Sequence, residues 1–186
     1  DSATNQAVGL SGAKYVAGRW TATGVSRYYL GSHGITQGLA NGTKGNLGHR
    51  GIPSPMQSVS KREVRRGAIN HRLEVYWWET AATTPQGPDA YFPMSNSESG
   101  KNGVVPEGIV VRIKRSVDLK ARHMSPAARV VARALQKYGA VVGDNSGSGN
   151  NLKLQSNANW TGMLNQDSLS SIHWKDYVFV KGGYRP

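Results

Sequence analysis

Two stretches of the chain alternate apolar and polar residues with a period of two, the pattern of a strand with unlike faces. In INHRLEVYWW (69–78), Ile69, His71, Leu73, Val75 and Trp77 fall on one side and Asn70, Arg72, Glu74, Tyr76 and Trp78 on the other. In GIVVRIKRSVDL (108–119), Ile109, Val111, Ile113 and Val117 oppose Arg112, Lys114, Ser116 and Asp118. A third stretch, SPAARVVARALQKYG (125–139), has the helical period instead. Ala127, Val130, Val131, Ala134, Leu135 and Tyr138 form an apolar stripe, while Arg129, Arg133 and Lys137 stack on the wet side. Ser125 at the cap, Pro126 at the first helical position and Gly139 just past the end predict a helix at about 125–138. SKREVRRG predicts a short helix at about 60–66, with Ser60 and Glu63 spaced for a reciprocal cap and Gly67 to end it.

The rest is turn-rich. Residues 1–58 read as short strands broken by glycines at 9, 12, 18, 24, 31, 34, 38, 42, 45, 48 and 51, with RWTATGVSRYYL (19–30) as the best strand pair. The segment between the two alternating strands holds too many Pro and Gly for one continuous element, and a long ordered loop in a compact domain is often functional. After the helix come a short strand AVV, the loop GDNSGSGNN, LKLQ, a short helix around Ser168–Ile172 and a last strand, YVFVKG. The expected fold is mainly β, a β-sandwich or jelly-roll-like pair of sheets with one packed amphipathic helix. A chain of 186 residues suits a single domain, 1–186.

Composition narrows the chemistry. The absence of cysteine removes disulfides, thiolate nucleophiles and Cys-ligated metals. No apolar run approaches the ~20 residues of a membrane-spanning helix. The start of the chain suits a protein whose export signal has been removed, and Asn41-Gly42-Thr43 and Asn159-Trp160-Thr161 fit the glycosylation pattern. A net charge of +12 favours anionic partners. The cations are dispersed, with no basic run of the kind a nucleic-acid arm uses, so nucleic acid is not the favoured partner.

The succession RGAINHRLEV, YFPM, PEGIVVRIKRSVDL, SPAARVVARALQKYGAVVGDNSG and an Asn-rich segment ending in NW resembles a family of exported bacterial proteins, often from soil. The resemblance covers about residues 48–160 and is most specific from the helix to the loop after it. It implies export and one fold unit, and it carries no reaction with it. The polar positions it shares are His71, Arg112, Lys114, Asp118, Asp144 and Asn145.

Several chemistries find no local signature. None of the five histidines (33, 49, 71, 123, 173) stands in a metal-binding pair. The loop alternates Asp144, Ser146, Ser148 and Asn150 faintly like a calcium loop, but with a single carboxylate, so no metal and no cofactor are assigned. The loop lacks the Lys-Ser/Thr of a phosphate-binding loop, and no nucleophile elbow is present. Paired carboxylates remain, the requirement of glycoside cleavage. Asp118 and Asp144 are the acid/base candidates, with His71 as a third catalytic candidate should either acid lie beside it. His71 otherwise sits on the apolar side of its strand as a core histidine. Arg112, Lys114, Asn145 and Glu74 would orient substrate, with Trp78 and Tyr91 as stacking platforms. Against this, Glu74, Arg112 and Lys114 also read as an ordinary solvated charge ladder across a sheet. In VVGDNSGSGNN, Asp144 and Asn145 carry the chemical interest, and the Ser-Gly-Ser-Gly tail reads as plain flexibility.

Two functional expectations follow. The first is a secreted domain that binds an extracellular polysaccharide, with cleavage by a hydrolase or lyase reaction as the step its acids would allow. The alternative is a non-enzymatic structural or self-assembling β-sandwich protein whose basic surface holds a polyanion.

Overall fold

The computed structural model describes residues 3–29, 52–82, 90, 91, 94, 97, 98 and 101–180. The Asn41 glycosylation triplet and the glycines from 31 to 51 lie outside them. The chain is mainly β, as the alternation predicts.

Four N-terminal strands form one long two-stranded ribbon. β1 (Gln6–Ser11) pairs with β4 (Gly24–Tyr29), and β2 (Lys14–Val16) with β3 (Arg19–Thr21), all antiparallel. The register is continuous: Gln6 faces Tyr29, Ser11 faces Gly24, and Val16 faces Arg19. RWTATGVSRYYL therefore supplies two strands that pair with their predecessors and not with each other. The reason lies at the tip. Ala17 (φ 49°) and Gly18 (φ 77°) both adopt the left-handed conformation that a two-residue hairpin turn demands.

Next come α1 (Lys61–Arg66), β5 (Leu73–Trp77), β6 (Thr80–Ala81), β7 (Val105–Pro106) and β8 (Val110–Ile113). They are followed by α2 (Pro126–Lys137), β9 (Ala140–Asn145), β10 (Asn151–Leu152) and β11 (Tyr177–Val180). The main sheet has five strands in the order β10-β5-β9-β8-β11, with β5 and β9 parallel and the other pairs antiparallel. β6 and β7 make a separate parallel pair. Among the described residues the layer facing the main sheet is helical, α2 packing on β8, and they include no second large sheet of the kind a sandwich would bring.

One face of the sheet, carrying Leu73, Val75, Val111, Ile113 and Val142, buries against Val130, Val131 and Leu135 of α2. The other face carries Glu74, Tyr76, Val110, Arg112 and Val141, and Ile52 and Met94 close over Val141. The alternation in β5 thus locates two faces correctly, but neither is solvent: Glu74 is fully buried.

α2 is legible because its signals are local. The Ser125 hydroxyl accepts from Ala128 N–H at 3.1 Å, Pro126 begins the helix, and Gly139 (φ 75°) follows its end. Replacing a capping serine by alanine costs about 1 kcal/mol. Ser125→Ala should therefore lower the melting temperature by about 2–4 °C in a domain of this size; an unchanged melt would remove the cap from the stabilising interactions. α1 departs from expectation. Ser60 makes no side-chain cap, and Glu63 turns to His71 Nε2 at 3.1 Å, with Arg66 at 3.8 Å. The stretch around Ser168–Ile172 is not a helix but a run of turns closed by Ser170 N–H to Asp167 O and Ile172 N–H to Leu169 O.

Asp176 locks the C-terminal strand in place. Its carboxylate accepts from His173 N–H at 2.9 Å and meets Arg122 Nη2 at 2.9 Å, while Arg122 also donates to Ser171 O. The His173 N–H, and after it the Arg122 charge, hold the carboxyl below its ordinary 3.8. A depressed carboxyl stabilises the folded state at pH values above 3.8 and loses that contribution as pH falls through the folded-state value. Asp176→Asn should melt lower than the parent at pH 5–7, with the gap closing below pH 3.8. A gap independent of pH would show the carboxylate charge to be irrelevant.

Candidate functional site

The site is built where the parallel strands β5 and β9 end. Their register shifts between Val75 and Tyr76: Val75 faces Val142, but Tyr76 faces Asp144, leaving Gly143 as the extra residue of a bulge. Strict alternation would turn Asp144 into the apolar face under α2. The bulge brings it instead to the face of Glu74 and Tyr76. Only glycine fits at 143, because a Cβ there would lie 2.6 Å from Glu74 Oε1 and 2.7 Å from Ile52 Cδ1. Glu74 itself accepts a hydrogen bond from the Ser54 hydroxyl at 3.0 Å.

The opposite wall comes from the Pro/Gly-rich segment. Gly108 (φ 86°) sits against Tyr91 so closely that a Cβ would lie 1.7 Å from Tyr91 O. Tyr91 N–H donates to Glu107 O at 2.9 Å, and Gly108 N–H donates to Val142 O at 2.8 Å. These bonds set Glu107 beside β9, where its Oε1 lies 3.5 Å from the Thr80 hydroxyl. Carboxylate oxygens of Glu98, Glu107 and Asp144 all lie within 4.8 Å of one another; Glu107 is buried, and the other two are partly exposed. Lys101 Nζ lies 3.7 Å from Glu98 Oε2. Asn145, oriented to satisfy both neighbours, donates to Trp78 O at 2.6 Å and accepts from Lys101 Nζ at 3.1 Å. Its backbone N–H donates to Asp144 Oδ1 at 2.8 Å.

Three carboxylates this close repel unless a proton or a cation lies among them. Their oxygens could together ligate a hard divalent cation, and the two partly exposed carboxyls are placed to meet a substrate.

The structure brings together Asp144, Asn145, Glu74, Trp78 and Tyr91. Trp78 is 61% exposed on the rim, Tyr91 is half-buried beside Glu107, and Glu74 lies beneath the bulge. It does not bring in the other four. β8 runs antiparallel to β9, Val110 facing Val141 and Val111 facing Ala140, so the end of β8 points away from Asp144. Asp118, beyond that end, accepts from Lys120 N–H at 2.8 Å and borders a small depression with Arg129, Arg133 and Gln136. Lys114 donates to Lys175 O at 2.6 Å. Arg112 stands opposite Val178 of β11. His71 lies two residues before β5, half-buried between Glu63 Oε2 and Arg72 O. The charge ladder of Glu74, Arg112 and Lys114 does not form, since β9 separates β5 from β8 and Glu74 is buried.

The loop after Asp144 is pinned rather than slack. β9 runs on through Asn145, Ser146 N–H donates to Trp77 O, and Gly147 N–H donates to Trp78 O. Asn150 Oδ1 accepts from Trp78 N–H at 2.8 Å. Of the oxygens that resemble a calcium loop, Asp144 Oδ1, Ser146 Oγ and Asn150 Oδ1 accept backbone N–H groups in these turns.

A second feature lies on the opposite, α2-side face: an apolar groove of about 1140 Å³ lined by Trp77, Leu152, Leu164, Leu169, Trp174 and Tyr177. Trp77 meets Trp174 and Phe179 edge-on, at centroid distances of 5.6 and 5.5 Å. Burial, and secondarily Asp176, push the Tyr177 phenol above its ordinary 10.0, so it stays protonated at neutral pH.

No helix among the described residues is long and apolar enough to cross a membrane. No family model, curated protein or solved structure matches this chain.

Proposed function

We propose that this protein is a secreted carbohydrate-active domain that binds an extracellular polysaccharide and hydrolyses it at the pair Asp144 and Glu98. The observation that carries the reading is the carboxylate cluster, two of whose members are partly exposed beside Lys101, Asn145 and the Trp78 ring. Sugar rings stack on flat aromatic faces while their hydroxyls take amide and charged partners. The resemblance to exported proteins supports secretion.

Retaining glycosidases hold their two carboxyl groups about 5–5.5 Å apart, and inverting ones about 6.5–9.5 Å. The nearest oxygens of the cluster, within 4.8 Å of one another, leave little room for a water between the carboxyls, which supports the retaining course. One carboxyl of the pair protonates the glycosidic oxygen as the C–O bond breaks. The other attacks the anomeric carbon, and water delivered by the first then releases the sugar with its configuration retained. Glu107, fully buried behind them, is a positioning residue.

The test is a panel of neutral and acidic polysaccharides, with products followed as reducing ends, as unsaturated sugars and by anomeric NMR. Reducing ends with retained configuration are expected. Unsaturated products would transfer the site to elimination chemistry, and no product on any glycan would favour the non-enzymatic alternative.

A further inference from the structure

No residue of the N-terminal ribbon is among the described residues of the carboxylate site, and the ribbon's main property is its exposure. Every residue from Ser11 to Thr23 is exposed, so both faces of the tip meet solvent. An isolated two-stranded ribbon is marginally stable in water, yet this one holds its register over the whole span from Gln6 to Tyr29. It also exposes large apolar side chains: Val8 51%, Leu10 45%, Tyr15 63%, Val16 57%, Trp20 66% and Val25 59%. Tyr15 faces Trp20 across the ribbon, with ring centroids 5.3 Å apart, and Leu10 faces Val25. The cations Lys14, Arg19 and Arg27 lie among them, and the sequence from 3 to 29 contains no Asp or Glu.

We infer that this ribbon docks on an anionic lipid bilayer, with Tyr15, Val16 and Trp20 at the tip entering the interface. Trp and Tyr place an apolar ring and a polar edge at the headgroup boundary. Lys14, Arg19 and Arg27 meet the negative surface, and the chain's charge of +12 draws it there. The turn at Ala17 and Gly18 adds no charge at the apex. A second copy of the chain fits less well, since the face that carries Val8, Leu10, Val16 and Val25 also carries Lys14, Arg19 and Arg27, and burying it against its own copy would set three cations on three cations with no acid between them. A nucleic acid would use the cations and the two rings but gives Val8, Leu10, Val16 and Val25 nothing to bury against.

The experiment is co-sedimentation of the full chain with vesicles of phosphatidylcholine alone or with 30% phosphatidylglycerol, about the range in which surface charge dominates adsorption. Binding to the anionic vesicles alone is expected. Trp20→Ala with Tyr15→Ala should weaken it at least about tenfold, and each of Lys14→Gln, Arg19→Gln and Arg27→Gln about fivefold. The exposed positions leave the melt unchanged, which circular dichroism checks. The inference is overturned if the wild type ignores anionic vesicles, or if the tip variants bind as the wild type does. It is equally overturned if the tip variants instead abolish dimer formation or binding to a single-stranded oligonucleotide while vesicle binding survives.

Discussion

Asp144→Asn and Glu98→Gln should each lower polysaccharide hydrolysis by about 10²–10⁴-fold, the usual contribution of a positioned acid or base. Both substitutions keep shape and hydrogen-bonding oxygen. Asn at 144 still accepts the Asn145 N–H that the aspartate accepts, and Gln at 98 stays within reach of Lys101. Loss of rate with an unchanged melt therefore reports the missing carboxyl and not a missing fold. The two should differ under chemical rescue. Azide restores turnover to the variant that has lost the nucleophile, giving a glycosyl azide of inverted configuration, and does not do so for the variant that has lost the acid at a poor leaving group. Rescue of neither, with both inactive and folded, would assign the cluster a binding role only. Asp118→Asn should leave the rate as it is, because Asp118 serves the backbone of its own turn.

The largest expected loss of stability is at Gly108. Its φ of 86° is the left-handed conformation, and its missing Cβ leaves the space that Tyr91 O occupies, 1.7 Å from where that carbon would stand. Gly108→Ala combines backbone strain with a clash against backbone, together of the order of 3–5 kcal/mol. Gly18→Ala is the control: it shares the left-handed conformation (φ 77°) but has nothing within 4 Å. It should cost only about 1–3 kcal/mol of strain. Denaturant unfolding separates the two. Equal losses would mean that the close approach of Gly108 to Tyr91 is relieved without cost, and that Glu107 is not held by it.

What could be read from the sequence followed the range of the interactions. α2 depends on Ser125, Pro126 and Gly139, all within one short stretch, and it formed as patterned. β5 was legible as a strand, but alternation separates faces without saying what covers them. Glu74 sits under Ser54 and Ile52, distant in sequence, so the alternation that marks its face polar does not reveal that it is buried. Glu63 had the spacing of a cap, yet His71, reachable only once β5 has turned back on α1, takes its carboxylate.

Asp144 and Asn145 stood out because they close a strand ahead of a turn. Their true companions did not. Glu98, Lys101 and Glu107 lie in a segment with no periodicity, and it is long-range pairing, such as Gly108 N–H to Val142 O, that carries them to β9. The faint signal was a long Pro/Gly-rich insert that nonetheless kept three acids, Asp89, Glu98 and Glu107. Asp118 illustrates the converse: its residue type and strand position matched Asp144, but antiparallel pairing of β8 with β9 sends the two to opposite ends of the sheet.

The most direct measurement is the release of reducing ends from the polysaccharide panel by the wild type, Asp144→Asn and Asp118→Asn side by side, each checked by its melting curve. If the carboxylate cluster is the chemical centre, Asp118→Asn matches the wild type and Asp144→Asn falls by about 10²–10⁴-fold. Wild-type rates from a folded Asp144→Asn, or their loss in a folded Asp118→Asn, would contradict it.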